Sequence, residues 1–209
     1  MSTVSLVHST KDGDSLIAYM ARVSNPANQG NKCSHKLIKY LIKHKHWSPF
    51  EMVNMCVEID TTRSISAQIV RHRSFSFQEF SQRYANVEEL KLPTPPDLRL
   101  QDPQNRQNSI DSDDIDKLNW QGSIQLHYDH CYKLYNNLIK DGIAKECARE
   151  VLPMGAPTRL YMNGTLRSWI HYVDLRTANG TQKEHQDIAE ACQELIRQQF
   201  PITYEVITS

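Results

Sequence analysis

One short segment limits the possible folds more than any other, because its side chains alternate between apolar and polar. The apolar members of residues 51–60 occupy every second position: Val53, Met55, Val57 and Ile59. A period of two predicts a β-strand that turns one face to the core. Elsewhere the apolar residues mostly recur every three to four positions, as in helices, and no regular alternation of strand and helix follows. The sequence therefore predicts an α+β fold rather than a doubly wound parallel sheet.

Helices account for most of the predicted structure. Helical spacing of apolar residues is found after Thr165 and at 15–23, 32–44, 63–72, 118–140 and 182–199. Asp14, Thr62 and Thr165 are the predicted N-caps, because a short polar side chain at a helix start accepts from unpaired backbone N–H groups. Two extended segments and two helix stops complete the pattern, at 4–8, 158–163, Gly142 and Pro201.

The chain is expected to form one domain over residues 1–209. Its length of 209 residues is enough to bury a sizeable core. A polar interruption at 91–117 contains four Pro and six Asp, and this composition predicts a solvated loop within the domain.

The charge balance excludes one broad class of function. Lys plus Arg and Asp plus Glu each number 24, so the formal net charge is zero. Electrostatic binding of the chain as a whole to nucleic acid or to an anionic membrane is therefore excluded, although a local basic site is not. Residues 1–14 lack the basic and apolar regions of a signal peptide. The longest apolar run, Leu16–Ala21, is too short to span a membrane.

The cysteines and histidines predict neither disulfides nor a metal site. Five cysteines are spread through the chain without a C-x-x-C pair: Cys33, Cys56, Cys131, Cys147 and Cys192. An odd number without close pairs is typical of reduced thiols, so a cytoplasmic protein is expected. His44 with His46, and His127 with His130, have the spacing of ligand pairs, but neither has a third ligand nearby in sequence. No metal is expected.

One polar stretch is the strongest indication of chemistry. Residues 71–84, called the signature segment below, contain three Arg, one His, three Ser, two Gln and one Glu, where the helical period is lost. One guanidinium group can donate two parallel hydrogen bonds to two oxygens of a phosphate. The lone acid, Glu79, suits a ribose hydroxyl or an Arg that it holds in place. These residues fit a phosphate and a planar polar ring, while a solvated basic turn with a few salt bridges is the alternative.

The signature segment resembles that of a known enzyme family. Arg71-His72-Arg73, followed by Ser81 and Arg83, matches in full the RHR-x7-S-x-R pattern of flavin-dependent thymidylate synthases. Two further blocks are similar to that family: the HWSPFE segment at 46–51, and a C-terminal series of R-x-x-L-P, Arg-Ser and Leu-Arg from residue 149 onward. The resemblance covers roughly 15–90 and 118–205. The chain departs from the family pattern at Met52, Gln78, Thr165, His171 and Gly180.

This resemblance implies a fold, a reaction and cofactors. The family has mixed helices packed on a central, mostly antiparallel sheet, and its members are homotetramers with active sites shared between subunits. They methylate dUMP to dTMP with the methylene group of methylenetetrahydrofolate. Reduced FAD converts that group to a methyl group, and NADPH reduces the FAD again. The residues implied to bind dUMP are Gln68, Arg71, Glu79, Phe80, Ser81, Gln82, Arg83, Arg149 and Arg176. Those implied to bind FAD are Ser24, Ser48, Arg71, His72, Arg73, Glu79, Thr165, Arg167 and His171.

Two residues are implied to act in catalysis. Arg176 would stabilise a uracil ring deprotonated at N3, which makes C5 nucleophilic without an attacking protein side chain. His46 is implied to handle the folate or methylene step. On the residues alone, Arg176 is instead a cation near a helix C-terminus, where the macrodipole favours it, and His46 is a polar loop residue.

Two functions from other classes compete with this interpretation. A pyrimidine methylase with a Cys nucleophile would use Cys147, the cysteine nearest Arg149 in sequence. The spacing of Cys147 from Ile143 and Val151 instead predicts a thiol in a helix core. A non-catalytic nucleic-acid-binding module would use the Arg and aromatic side chains of the signature segment, although zero net charge disfavours it.

Overall fold

A central sheet determines how the rest of the chain packs. The structure is a computed structural model, and it describes residues 2–209. The strands, in chain order, are β1 (Thr3–Ser9), β2 (Asn54–Thr62), β3 (Ser76–Glu79), β4 (Leu100–Gln101), β5 (Ser109–Ile110) and β6 (Pro157–Thr165). Four of them form an antiparallel sheet in the order β1–β2–β6–β3, and β4 pairs with β5 separately. The predicted α+β class and mostly antiparallel sheet are therefore confirmed.

Helices make up most of the remaining regular structure. In chain order they are α1 (Gly13–Ala21), α2 (His35–Lys43), α3 (Arg63–Ile69), α4 (Lys117–Lys140), α5 (Lys145–Ala148), α6 (Leu166–Arg176), α7 (Lys183–Gln199) and α8 (Pro201–Ile207). Short 3-10 helices lie at 26–28, 48–52, 87–89 and 149–151. The Thr165 hydroxyl accepts from the Ser168 N–H at 3.3 Å, so this predicted N-cap is confirmed. Gly142, with φ +78°, follows the end of α4 as predicted.

β2 supplies the centre of the main core, as its alternation predicts. Met55, Val57 and Ile59 are fully buried and lie opposite residues of β6. Trp169 of α6 is also fully buried, and its indole N–H donates to the Met55 carbonyl at 2.9 Å. Burial of each large apolar side chain contributes about 1.5–3 kcal/mol. This packing fixes the start of α6 against the sheet and so fixes the residues that follow it.

Asp14 has a different role from the one predicted. α1 begins at Gly13, and Asp14 is buried inside it rather than capping it. Its carboxylate accepts from the backbone N–H groups of Ile202 and Thr203 at 2.8 and 3.2 Å, and from the Thr203 hydroxyl at 2.6 Å. Asp14 therefore caps α8, a helix that begins at Pro201, where the sequence pattern predicted only a stop.

α4 packs against a smaller, second cluster. Tyr132 and Tyr135 of α4 are buried there with Val87 and Ala148. Trp120 and Leu134, which the helical spacing of α4 placed with its apolar residues, are 59% and 41% exposed, so their assignment to the packed face is wrong in the isolated chain. Two more exposed apolar side chains on α4 are Leu118 and Leu126.

Among residues 2–209, no helix is both long and apolar enough to cross a membrane.

The segment 91–117 is less irregular than its composition predicts. The β4–β5 pair lies within it, with Leu100 opposite Ile110 and Gln101 opposite Ser109. Two-residue strands leave almost no periodicity in a sequence, so the pattern could not indicate them. Most side chains of the segment are exposed, as expected of a solvated region.

Candidate functional site

The signature segment loses its helical period because it changes from helix to strand. α3 ends at Ile69, and the backbone N–H of His72 donates to the Ile69 carbonyl at 3.1 Å as the chain turns away. β3 then pairs with β6 at the edge of the sheet, with Glu79 opposite Leu160. This strand was not predicted, since its four residues are too few for a clear alternation. The turn places His72 beside Arg176 at the C-terminal end of α6, whereas the end of β3 places Glu79 beside α3 and the start of β6.

Arg176 and His72, predicted to bind different ligands, are in direct contact. Arg176 Nε donates to His72 Nε2 at 2.9 Å, so His72 is neutral and carries its proton on Nδ1. Burial, together with the charges of Arg176 and His171, lowers the pKa of His72 to about 4. Within the described residues this is the one hydrogen bond of the Arg176 side chain, so its two terminal nitrogens remain available to a ligand.

His185 is part of the site although the sequence analysis did not select it. This residue is fully buried, with Nε2 at 3.1 Å from the Tyr172 hydroxyl and Nδ1 at 3.3 Å from Gln68 Oε1. Burial and the charge of Arg176 lower its pKa to about 4. A signal was present in the sequence, because His185 precedes Ile188 and Cys192 at helical spacing on the apolar face of α7.

Glu79 is held on three sides by protein donors. Its Oε1 atom accepts from Arg63 at 2.5 Å, from the Ser66 hydroxyl at 2.7 Å and from the Thr158 hydroxyl at 2.9 Å. The expectation that Glu79 holds an Arg in place is met by Arg63, which lies in α3 rather than in the signature segment. The Oε2 atom makes no hydrogen bond within residues 2–209, so it can accept from a ligand hydroxyl.

Arg83 and Arg149 both lie next to α5. Arg83 Nε donates to Glu146 of α5 at 3.1 Å, and Arg149 follows directly after that helix. Lys145 Nζ also donates to the Tyr84 carbonyl at 3.0 Å, which fixes the end of the signature segment against α5. Arg149 Nε is buried and has no hydrogen bond to any residue from 2 to 209, although it lies 3.5 Å from the neighbouring Glu150 carboxylate. Guanidinium groups are suited to binding an anion such as a phosphate, so Arg83 and Arg149 both remain candidate phosphate ligands.

Several other predicted dUMP ligands lie along the same stretch. Gln82 Nε2 is buried and has no hydrogen-bond partner among residues 2–209. The Ser81 carbonyl accepts from the N–H groups of Tyr84 and Ala85, so this part of the chain forms a tight turn. The Phe80 N–H donates to the Arg159 carbonyl at 2.8 Å and continues the pairing of β3 with β6. An unpartnered buried donor at such a turn is a feature that a bound polar ligand would satisfy.

A groove beside α6 brings together two of the predicted FAD ligands, Arg167 and His171. It has a volume of about 830 Å³, and its lining includes Trp47, Glu51, Ser74, Arg167 and His171. Arg167 forms an ion pair with Glu51, and the Ser168 hydroxyl donates to the Ser74 carbonyl at 3.3 Å. The start of α6, capped by Thr165, is therefore attached to the turn before β3. Arg71 and Arg73 are exposed, and neither side chain forms an ion pair within residues 2–209.

Ser24, Ser48 and His46 are among the predicted residues that make no side-chain hydrogen bond to this arrangement within residues 2–209. Ser24 is exposed after α1, and Ser48 is exposed at the start of a 3-10 helix. His46 is exposed beyond α2, where its ring centroid lies 5.8 Å from that of Tyr40 and 6.1 Å from that of His44. No group of three or more His, Cys, Asp or Glu side chains within residues 2–209 could hold a metal ion.

Cys147 corrects another expectation. The thiol is exposed on α5, whereas its spacing predicted a place in the helix core. α5 is a single turn that ends at Ala148, and Ala148 is its buried residue. The helical spacing that linked Cys147 to Ile143 and Val151 therefore does not exist in the fold.

Known proteins resemble this chain over most of its length. The family model described as Thymidylate synthase complementing protein matches residues 5–202. A probable flavin-dependent thymidylate synthase of Paramecium bursaria Chlorella virus 1 is 52% identical over 201 residues, which cover 95% of this chain and 92% of the relative. A flavin-dependent thymidylate synthase of Synechocystis sp. is 49% identical over 189 residues, or 90% of this chain and 86% of the relative.

A solved structure agrees in fold. The UMP/dUMP methylase PolB from Streptomyces cacaoi, in a crystal with 5-Br dUMP, has a TM-score of 0.86 and 30% identity to this chain, covering 100% of this chain and 95% of that one. None of these relatives supports the interpretation as a nucleic-acid-binding module. The resemblance in the signature segment is confirmed, and the chain is an enzyme that belongs to the flavin-dependent thymidylate synthase family.

Proposed function

We propose that the protein converts dUMP to dTMP by reductive methylation. The carbon donor is methylenetetrahydrofolate, and the hydride comes from FAD that NADPH has reduced. The observation that carries this proposal is the Arg176–His72 pair, in which a neutral imidazole holds one nitrogen of a guanidinium and leaves the other two for a substrate. Family membership supports the same reaction.

The phosphate of dUMP binds between Arg83, Arg149 and Arg71 in this proposal. Two of these cations converge on α5, and Arg149 has a buried nitrogen without a hydrogen-bond partner. The unpartnered Gln82 amide and the second Glu79 oxygen supply a donor and an acceptor for the sugar and base. Gln68, held by His185, supplies a further amide.

Arg176 acts on the uracil ring. Loss of the N3 proton raises the electron density at C5, and the guanidinium stabilises the resulting anion. Because His72 already accepts from Nε, the guanidinium is oriented before the substrate binds. C5 of the ring then forms a bond to the methylene carbon of methylenetetrahydrofolate as the bond from that carbon to a folate nitrogen breaks. C5 afterwards loses its proton, and no cysteine is required. His46 is proposed to assist at the folate.

The residues around the groove fit a flavin nucleotide. Arg167 and Trp47 line the groove and would supply a cation and an apolar wall. The exposed Arg71 and Arg73 are proposed to supply further cations for the phosphates. His72, His171, Thr165, Glu79, Ser48 and Ser24 complete the proposed set of contacts. When bound, FAD supplies the hydride that converts the transferred methylene to a methyl group. The Thr165 hydroxyl already caps α6, so its contribution would come in addition to that bond.

The enzyme is proposed to be a cytoplasmic homotetramer. Leu118, Trp120 and Leu126 of α4 expose large apolar surfaces in the isolated chain. Large apolar side chains that an isolated chain leaves exposed are candidates for burial by a neighbouring subunit. Sharing of active sites between subunits follows from the family resemblance. The five free cysteines are compatible with a reducing compartment.

One assay tests the proposed reaction. Purified protein should be yellow or bind added FAD, and it should oxidise NADPH and form dTMP when dUMP and methylenetetrahydrofolate are both present. Omission of the folate should abolish dTMP formation. Cys147→Ala should retain activity, because no cysteine attacks the ring. A colourless protein that does not respond to FAD, or dTMP formation that depends on Cys147, would contradict the proposal.

A further inference from the structure

Residues outside the signature segment lead to Gln68 through a continuous series of hydrogen bonds. Arg99 Nη2 donates to Glu184 Oε1 at 2.6 Å, and Gln182 Nε2 donates to Glu184 Oε2 at 2.9 Å. Gln68 Nε2 then donates to Gln182 Oε1 at 2.7 Å. The Gln68 carbonyl oxygen is at the same time 3.3 Å from His185 Nδ1. Both polar atoms of the Gln68 amide are therefore held by protein groups.

Arg99 is well placed to fix this series. Its side chain is only 12% exposed, although it belongs to the largely solvated segment 91–117. Its Nε atom donates to the Ser109 hydroxyl of β5 at 2.9 Å, so one guanidinium joins the β4–β5 hairpin to α7. A second contact, from Asn108 Nδ2 to Asn179 Oδ1 at 3.4 Å, holds the hairpin against the turn between α6 and α7.

The electrostatics explain why the amide of Gln68 depends on Arg99. Glu184 accepts from Arg99 with one oxygen and from Gln182 with the other. If Arg99 is removed, a partly buried carboxylate loses its cation and can turn towards solvent. Gln182 then loses its acceptor, and its side chain is free to rotate. Its Oε1 atom no longer holds Gln68 Nε2 in one direction. His185 alone does not determine the direction of that N–H group.

We propose that Arg99 is a positioning residue for dUMP, acting through Glu184 and Gln182 on the Gln68 amide. This inference rests on the proposed function, in which Gln68 binds dUMP. The segment 91–117 is thereby given a specific role, to support the substrate site from outside the signature segment. Arg99 itself touches neither substrate nor cofactor.

The test measures dUMP affinity separately from turnover. For Arg99→Ala, the dissociation constant of dUMP in equilibrium dialysis should rise about five- to tenfold, as for one lost hydrogen bond. The bound FAD content and kcat at saturating dUMP should stay within about twofold of the wild type. Arg99→Lys keeps the charge without the fork and should restore part of the affinity.

A second comparison separates positioning from general destabilisation. Gln182→Ala breaks the series while leaving Arg99 on Glu184, so it should weaken dUMP binding by a similar factor. In a Gln68→Ala background, Arg99→Ala should add little, because coupled residues are not additive. Arg197→Ala removes another Arg–Glu pair of α7, distant in sequence from Gln182, and is the matched control.

The outcomes distinguish the two proposals. Wild-type protein that fails to bind dUMP in dialysis would contradict the proposed function, and this inference with it. Wild-type binding that Arg99→Ala and Gln182→Ala leave unchanged would overturn the role of Arg99 alone. The same conclusion would follow if Arg99→Ala weakened dUMP binding equally with and without the Gln68 side chain.

Discussion

At the scale of single residues, the contact between Arg176 and His72 gives the sharpest prediction. Lysine keeps the positive charge but has a single side-chain nitrogen. It therefore cannot donate to His72 and also present two further nitrogens to the uracil ring. Arg176→Lys should therefore lower dTMP formation about 10²–10³-fold, as for loss of one preorganised electrostatic donor. Reduction of the flavin by NADPH should continue, because that half-reaction does not involve the uracil anion. Near-normal dTMP formation by the variant would leave Arg176 as a cation that only complements the end of α6.

A second residue-scale prediction concerns pH. His185 has a folded pKa of about 4, below its ordinary value of 6.5, because burial and Arg176 oppose protonation. Protons therefore bind the unfolded chain more readily, so this histidine lowers the free energy of unfolding as the pH falls from about 6.5 towards 4. Its contribution is at most about 3 kcal/mol at the acid end.

The measurement is urea unfolding between pH 4.5 and 7.5. His185→Gln should remove part of this dependence, since glutamine can bond to Tyr172 and Gln68 without titrating. The rest should remain, because the pKa of His72 is also lowered to about 4. His130→Gln, an exposed substitution on α4, should keep the wild-type dependence. Parallel curves for the wild type and His185→Gln would show that His185 does not govern acid stability.

At the scale of single elements, α8 depends on a side chain distant in sequence. Asp14→Ala leaves two backbone N–H groups and the Thr203 hydroxyl without their acceptor. The free energy of unfolding should fall by about 1–3 kcal/mol. Asp116→Ala removes the exposed cap of α4, which accepts one N–H at 3.2 Å, and should cost less than about 1 kcal/mol. Equal losses for the two variants in urea unfolding would contradict the role assigned to Asp14.

The length of an element decides whether the sequence predicts it. Period-two and helical patterns predicted β2 and the long helices, because each has enough residues on one face to reveal its burial. β3 is four residues long and α8 is seven, and neither offers that repetition. The signature segment was found by its residue types, yet its partners were not. Arg63 contacts it through Glu79, and His185 lies beside His72. Arg99 reaches only Gln68 of α3, through Glu184 and Gln182. All three arrangements arise from tertiary packing, which spacing along the chain does not encode.

At the scale of the whole molecule, the exposed apolar side chains of α4 predict an assembly. Leu126→Glu and Trp120→Glu should shift sedimentation from a tetramer to smaller species, because a charge at an apolar interface is costly to desolvate. Activity should fall with the tetramer if active sites are shared. Lys39→Glu, an exposed change on α2, is the control and should leave both unchanged. A wild-type monomer with full turnover would contradict the proposed assembly.

The order of strands in the sheet also constrains how the protein is made. β6 lies between β2 and β3, yet it begins only at Pro157. At roughly 5–20 residues per second, the ribosome completes β3 several seconds before β6 exists. During that interval β3 has no neighbouring strand, so the side chains that we propose to bind substrate are not yet held by the sheet. Catalytic competence is therefore acquired only near the end of translation, and a chain truncated before β6 would be inactive however much of the signature it contains.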